Sequence, residues 1–214
     1  MTTLTKLGLA LALAVSGASF TTQANSDDTA TEKKFNAKPF MVFGYAFGGD
    51  DMGTLEYEDG SSSDVSAGGG FTMGGGVDIA IDSESFGFSK PIGVKLSGAY
   101  KFDSATADNA DITFDRFEFT VLPYVQLNEK VTLGAGVSFH TGVEFSLEMD
   151  GSGSESYEFD GATAFVAELG FKQNEQLSWG FRFTSVEYTL ANYSGAEATS
   201  GSNFGGFMTY SFKQ

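Results

Sequence analysis

Hydrophobic and polar positions alternate strictly along residues 131–149, which read VTLGAGVSFHTGVEFSLEM. The odd positions are apolar or nearly so, and the even positions carry glycine, hydroxyl, histidine or glutamate side chains. A period of two is typical of a β-strand, because successive side chains point to opposite faces of the sheet. Strands in globular proteins usually have about 5–6 residues, so an alternation of this length indicates an unusual sheet.

The same pattern recurs along the chain and predicts an all-β protein. One face of each segment is rich in Phe, Tyr, Met and Val, and the other carries glycine and charges of both signs. In the seventh segment the phase slips near Ser185, which predicts a β-bulge. The eight segments span residues 38–49, 66–82, 90–103, 112–127, 131–149, 156–172, 177–190 and 203–212.

The connections between these segments alternate in length. They are short after the second, fourth and sixth segments, and long and rich in Gly, Ser and acidic residues after the others. This layout is typical of bacterial outer-membrane barrels. A soluble β-sandwich would bury its apolar face against a second sheet, whereas only helices and closed barrels satisfy their backbone groups in hydrocarbon. We predict an eight-stranded antiparallel transmembrane up-and-down β-barrel over residues 38–214.

The first residues carry the features of an export signal. Lys6 precedes the apolar run LGLALALAVSGA, and Thr22 and Ala24 stand at the positions that a signal peptidase prefers. We predict a cleaved signal peptide at 1–24 and a flexible periplasmic leader at 25–37. The chain has no cysteine, so no disulfide framework is predicted.

The last alternating segment, NFGGFMTYSF, resembles the C-terminal signal by which outer-membrane barrels are recognised for assembly. The residues that carry this resemblance are Asn203, Gly205, Met208, Tyr210 and Phe212. The chain departs from the pattern in ending FKQ instead of on an aromatic residue. With its eight segments, the chain resembles the small OmpA-transmembrane-domain, OmpX and OmpW-like barrels. This resemblance implies a monomer in the outer membrane of a Gram-negative cell. It also implies contact with outer-membrane lipid, lipopolysaccharide and the barrel-assembly machinery, and it names no activity.

The charged face of the segments predicts a polar lumen. An eight-stranded barrel is just wide enough inside for side chains to fill it, and a buried charge without a partner costs several kcal/mol. We therefore predict a network of ion pairs that plugs the lumen, with a narrow gated pore for ions or small solutes as the alternative. The predicted lumen residues are Asp78, Asp82, Lys95, Lys101, Arg116, Glu118, His140, Glu144, Glu168 and Arg182.

His140 raises the question of catalysis, because Ser138 and Glu144 share its predicted inward face. Lipid A deacylase barrels use Ser, His and Glu, but their serine follows the histidine by two residues on the membrane-facing side. That position is Gly142 here. We predict no enzymatic activity, no catalytic residue and no cofactor, and keep a lipid A-modifying enzyme as the second alternative. The glycine runs at 68–70 and 74–76 lie within a predicted strand, so they do not indicate phosphate loops.

The long loops are strongly acidic. Together with the strand ends beside them, they hold 15 of the 28 Asp and Glu residues and none of the 12 Lys and Arg residues. This charge disfavours nucleic acid as a partner. Oxygen-rich loops suit Ca²⁺ or Mg²⁺, but no twelve-residue calcium loop is present, so no metal site is predicted.

The fifth and sixth segments exceed the 9–11 residues that span a bilayer. We therefore predict an outward hairpin with an exposed edge that can pair with another chain. The predicted role is envelope structure or surface interaction with an unknown ligand.

Overall fold

The chain forms an antiparallel barrel in a computed structural model that describes residues 35–83, 87–151, 153–193, 195 and 197–213. The predicted signal peptide at 1–24 and residues 25–34 of the predicted leader lie outside the described residues. No helix in the described ranges is long and apolar enough to cross a membrane. The strands are β1 Phe35–Phe47, β2 Asp51–Glu56, β3 Ser62–Ser66, β4 Gly70–Ile81, β5 Ile92–Ala107, β6 Ala110–Asn128, β7 Val131–Met149, β8 Gly153–Phe159, β9 Ala162–Lys172, β10 Leu177–Ser185, β11 Glu187–Tyr188, β12 Thr199–Ser200 and β13 Asn203–Ser211.

Eight of these strands close into a ring. The order is β1–β4–β5–β6–β7–β9–β10–β13, and β13 returns to pair with β1, every pair being antiparallel. The predicted fold class, an eight-stranded antiparallel up-and-down β-barrel, is confirmed. β1 begins at Phe35, so residues 35–37 belong to the barrel and not to the leader predicted at 25–37.

The outer surface of the ring is apolar and its interior is polar. Phe119 and Phe139 stand opposite each other on β6 and β7, and both are about half exposed. Their neighbours Thr120 and Ser138 are buried, and the Thr120 hydroxyl donates a hydrogen bond to Ser138 Oγ at 3.0 Å. This is the apolar-out, polar-in alternation that a membrane barrel requires.

The alternation of β7 reverses at Gly142. Its φ is +59°, and the pairing with β6 shifts by one residue between Asp115 and Phe117. An inserted residue of this kind turns the following side chains to the other face. Val143 and Phe145 are therefore buried inside, although the sequence pattern alone places them on the same face as Phe139.

No bulge occurs at Ser185, where the sequence predicted one. Burial continues to alternate through Thr184, Val186 and Tyr188. What changes is the chemistry of the inward positions, since Val186 and Tyr188 are apolar or aromatic and fully buried. The chain leaves the barrel ladder at the end of β10, and β11 then pairs with β12.

An apolar cap fills the loop end of the barrel. The hairpin of β2 and β3 lies against the inner faces of β5 and β6, and Val65 from this hairpin is fully buried. The sequence pattern predicted this segment only as a long acidic loop. The buried members of the cap are Val65, Ala67, Ala105, Ile112, Phe114, Val143, Phe145, Ala164, Val186 and Tyr188.

Four strands rise beyond the ring as a projecting sheet, formed by residues 103–107, 110–115, 143–149 and 153–159. β8 pairs with β7 from Val143 opposite Phe159 to Met149 opposite Gly153. The outward projection is thus wider than the two-stranded hairpin expected from sequence. The far edge of β8 is covered near Phe159 by a bridge to Leu190, and residues 153–157 have no second strand partner among the described residues.

Replacing Gly142 with alanine tests the reversal. A Cβ there would lie 3.6 Å from the Phe117 ring, so space is available, but the positive φ disfavours any L side chain. We expect Gly142→Ala to lower the free energy of unfolding by about 1–2 kcal/mol. The measurement is urea unfolding in lipid vesicles, followed by the fluorescence of Trp179.

Gly98→Ala is the control, because no positive φ restrains Gly98 and its Cβ would meet the Phe119 ring at 3.4 Å. If Gly142→Ala and Gly98→Ala were equally stable, the reversal of inward and outward positions in β7 would not depend on the positive φ of Gly142.

Candidate functional site

The regular register of the ladder brings the inward charges together at one level of the barrel. Lys101 of β5 stands opposite Arg116 of β6, and Glu118 of β6 stands opposite His140 of β7. On the other side of the ring, Arg182 of β10 stands opposite Glu168 of β9. Because these positions alternate with outward-facing ones, their side chains meet across the lumen.

Glu168 is the centre of the first charge cluster. Its Oε1 accepts a hydrogen bond from Lys95 Nζ, and its Oε2 accepts one from Arg182 Nη2 at 2.9 Å. Glu168 is almost completely buried, whereas the two cations keep some exposure. One desolvated carboxylate is therefore held by two cations from different strands.

The second cluster links the lumen to the cap. Arg116 Nε donates to Glu118 Oε1 at 3.2 Å, and His140 Nε2 lies 3.9 Å from the same oxygen. The other ring nitrogen, His140 Nδ1, is hydrogen-bonded to the Tyr188 hydroxyl at 2.7 Å. The Arg116 guanidinium carbon lies 5.4 Å and 5.6 Å from the ring centroids of Phe114 and Tyr188, a cation–π arrangement.

Tyr188 was not predicted to take part in the site. It comes from β11, near the end of the seventh alternating segment, reaches inward to His140 and is fully buried. Burial raises the pKa of Tyr188 above its usual value, so its hydroxyl stays protonated. The uninterrupted alternation of Thr184, Val186 and Tyr188 is the signal that could have placed it inside.

Most predicted lumen residues lie inside, but Glu144 does not, and Asp78 and Asp82 lie apart from the two charge clusters. Glu144 was expected beside His140, and this is wrong: it follows the Gly142 reversal and stands opposite Asp115 on the outer face. Asp78 accepts a hydrogen bond from the Tyr124 hydroxyl at 2.8 Å, away from the two clusters. Asp82 lies beyond the end of β4.

A cavity of about 220 Å³ opens at the short-turn end of the barrel. Lys38, Asp78, Lys95 and Tyr124 are among the residues that line it. The charge clusters and the apolar cap lie between this cavity and the loop end. Within the described ranges, no group of three or more His, Cys, Asp or Glu side chains is arranged to hold a metal ion.

The predicted assembly residues lie on or next to the last strand. Asn203 and Gly205 face inward on β13, and Asn203 Nδ2 donates to the Gly201 carbonyl at 2.9 Å. Met208, Tyr210 and Phe212 point outward. Their recognition by the assembly machinery stays a prediction.

No sequence family matches this chain, and no curated protein matches it. Several solved structures are similar. Ail, the attachment invasion locus protein of Yersinia pestis, in complex with the heparin analogue sucrose octasulfate, has 15% identity and a TM-score of 0.47, covering 82% of this chain and 97% of Ail. Neisserial surface protein A has 11% identity and a TM-score of 0.44, with 84% and 97% covered. The outer membrane protein OprG from Pseudomonas aeruginosa has 14% identity and a TM-score of 0.35, with 83% and 97% covered.

Removing the carboxylate that Lys95 and Arg182 share tests how much the first cluster stabilises the barrel. Glu168→Gln leaves the buried ends of Lys95 and Arg182 without their counter-ion, and breaking a buried pair costs about 3–5 kcal/mol. We expect a loss of stability in the lower part of that range, since both cations are partly exposed. The measurement is urea unfolding in lipid vesicles.

Glu175→Gln is the matched control. Glu175 pairs with Lys172 at 3.1 Å on the exposed short turn, and such pairs contribute about 0–1 kcal/mol. A Glu168→Gln barrel as stable as the Glu175→Gln barrel would show that the cluster does not stabilise the lumen.

Proposed function

We propose that the protein is an integral outer-membrane barrel with a filled lumen, which presents an acidic sheet at the cell surface for interaction with a cationic partner. The observation that supports membrane insertion is that the burial of apolar and charged side chains is the opposite of that in a soluble protein. Large apolar side chains are exposed all round the ring, while arginine, lysine and glutamate side chains are buried inside it. A contiguous apolar exterior of this extent is stable only against lipid or another protein.

Aromatic side chains mark the short-turn border of this apolar band. Trp179 stacks on Phe171 with ring centroids 4.6 Å apart. Nearby, Gln176 donates to the Tyr210 hydroxyl at 2.8 Å, so this phenol has its apolar ring against the band and its polar end toward the turn. Such aromatic girdles occur at the interfaces of outer-membrane barrels.

A channel and an enzyme are less well supported. Glu168 is engaged by two cations, and the cap adds tightly buried apolar side chains at the loop end of the lumen. His140 is buried and bound to Tyr188, so its ring does not reach the lipid side. Gly142, at the position of the serine in lipid A deacylases, offers no nucleophile.

The outer face of the projecting sheet supports the interaction role. Asp115, Glu144 and Glu158 lie opposite one another on β6, β7 and β8, and Asp111 lies opposite Glu148. Like charges directly opposite on a sheet are destabilising, so this arrangement does not serve stability. It is complementary to a surface that carries lysine or arginine side chains.

The single tryptophan gives a direct test of membrane insertion. We expect lipids with brominated acyl chains to quench Trp179 most strongly when the bromines lie near the headgroups. A variant with Trp179→Phe and Val137→Trp should be quenched best by bromines deep in the chain. Val131 and Trp179 both pair with Phe171, and Val137 lies six residues further along β7, about 20 Å.

The control carries Trp179→Phe and Tyr193→Trp, which moves the tryptophan to an exposed loop position. Quenching of this control equal to that of the other two proteins, or the absence of quenching in all three, would contradict the proposed insertion.

Neutralising the acidic side chains of the sheet face tests the interaction role. The triple variant Glu144→Gln, Glu148→Gln, Glu158→Gln should bind an oligolysine peptide about tenfold more weakly than the wild type in lipid nanodiscs. Three exposed pairings at about 0.5 kcal/mol each account for that factor. The measurement is fluorescence anisotropy of the labelled peptide at a fixed salt concentration.

The matched control removes the same number of charges from the first long loop, as Asp51→Asn, Glu56→Gln, Glu58→Gln. Equal weakening by the two triple variants would mean that net charge alone attracts the peptide, and the sheet would have no special role.

A further inference from the structure

The terminal nitrogens of Arg116 are the least satisfied polar groups of the described lumen. The side chain is fully buried, and its Nε is engaged by Glu118. Nη1 and Nη2, however, have no hydrogen-bond partner among the described residues. Buried polar groups in native proteins nearly always have a partner.

The surroundings add positive charge to the same place. Lys101 stands directly opposite Arg116 on β5, is itself buried, and donates its Nζ hydrogen to the Gly68 carbonyl at 2.7 Å. The Glu118 and Asp103 carboxylates interact electrostatically with Lys101. Two buried cations therefore face each other across one ladder, with the Glu118 carboxylate beside Arg116.

The other inward carboxylates already have partners. Glu168 is held by Lys95 and Arg182. Asp103 accepts a hydrogen bond from the Ser66 backbone N–H at 2.9 Å, and Asp78 accepts one from Tyr124. No described carboxylate forms a hydrogen bond with the terminal nitrogens of Arg116.

A further nitrogen without a partner lies close by. His140 Nε2 is buried and makes no hydrogen bond among the described residues. It lies 3.9 Å from Glu118 Oε1, the oxygen that also accepts from Arg116 Nε. When the Tyr188 hydroxyl donates to Nδ1, Nε2 carries the ring proton. The lumen then holds Arg116 and His140 donors without acceptors around one carboxylate.

We propose that a small monovalent anion of chloride size binds inside the lumen beneath the apolar cap, accepting hydrogen bonds from Arg116 Nη1 and Nη2, with His140 Nε2 as a further donor. An anion accepts hydrogen bonds from these donors and also adds negative charge beside Arg116 and Lys101, whereas a water molecule only accepts the hydrogen bonds. The nearby Glu118 carboxylate disfavours an anion of higher charge.

Bromide gives the direct test on the unaltered protein. Crystals of the refolded wild-type barrel grown in sodium bromide should show an anomalous bromine peak in contact with the terminal nitrogens of Arg116. Density there without an anomalous signal, or bromide only at the outer surface, would mean that water occupies the position and would overturn the proposal.

A halide dependence of stability provides the second test. The unfolding equilibrium constant in urea should fall about tenfold between gluconate and chloride at equal ionic strength, when chloride is present at about ten times its dissociation constant. Arg116→Met should remove this dependence, and Arg182→Met should keep it because Arg182 is paired with Glu168. A dependence that survives in Arg116→Met would overturn the proposal.

Discussion

Closure of the hydrogen-bond ladder is the constraint on which the rest of the structure depends. A strand in hydrocarbon has no water to satisfy its backbone N–H and C=O groups, so every strand needs two neighbours. The pairing of β13 with β1 supplies the last of these. Once the ring is closed, each strand has one face toward lipid and one toward a narrow lumen. The apolar exterior and the charged interior are then two results of the same closure.

The outer face of the strands changes in character along the barrel axis. Near the short turns the outer face is apolar, and polar groups turn inward. In the projecting sheet the outer face is acidic, and apolar side chains turn inward as they do in a soluble protein. Gly142 brings about this change in β7, because its bulge moves Val143 and Phe145 into the cap. In β10 and β11 the change needs no bulge, since the inward positions themselves become apolar.

The sequence was sufficient to predict the eight strands, their two faces and most lumen charges, because strand period and loop length are local properties. Glu144 was misplaced because a single inserted residue inverts every later position, and hydrophobicity alone does not show where the insertion occurs. The hairpin of β2 and β3 and the inward turn of Tyr188 were missed for a different reason. They depend on contacts with strands that are distant in the sequence, such as the hydrogen bond between Tyr188 and His140.

The distribution of charge along the barrel axis affects how the long loops withstand proteolysis. None of the Lys and Arg residues lies in the four long loops. In the described residues these side chains occur inside the lumen or at the short-turn end. A trypsin-like protease, which cuts only after lysine or arginine, therefore finds no peptide bond that it can cleave in those loops. The acidic composition that suits a cationic partner thus also gives the exposed end a built-in resistance to one class of digestive enzyme.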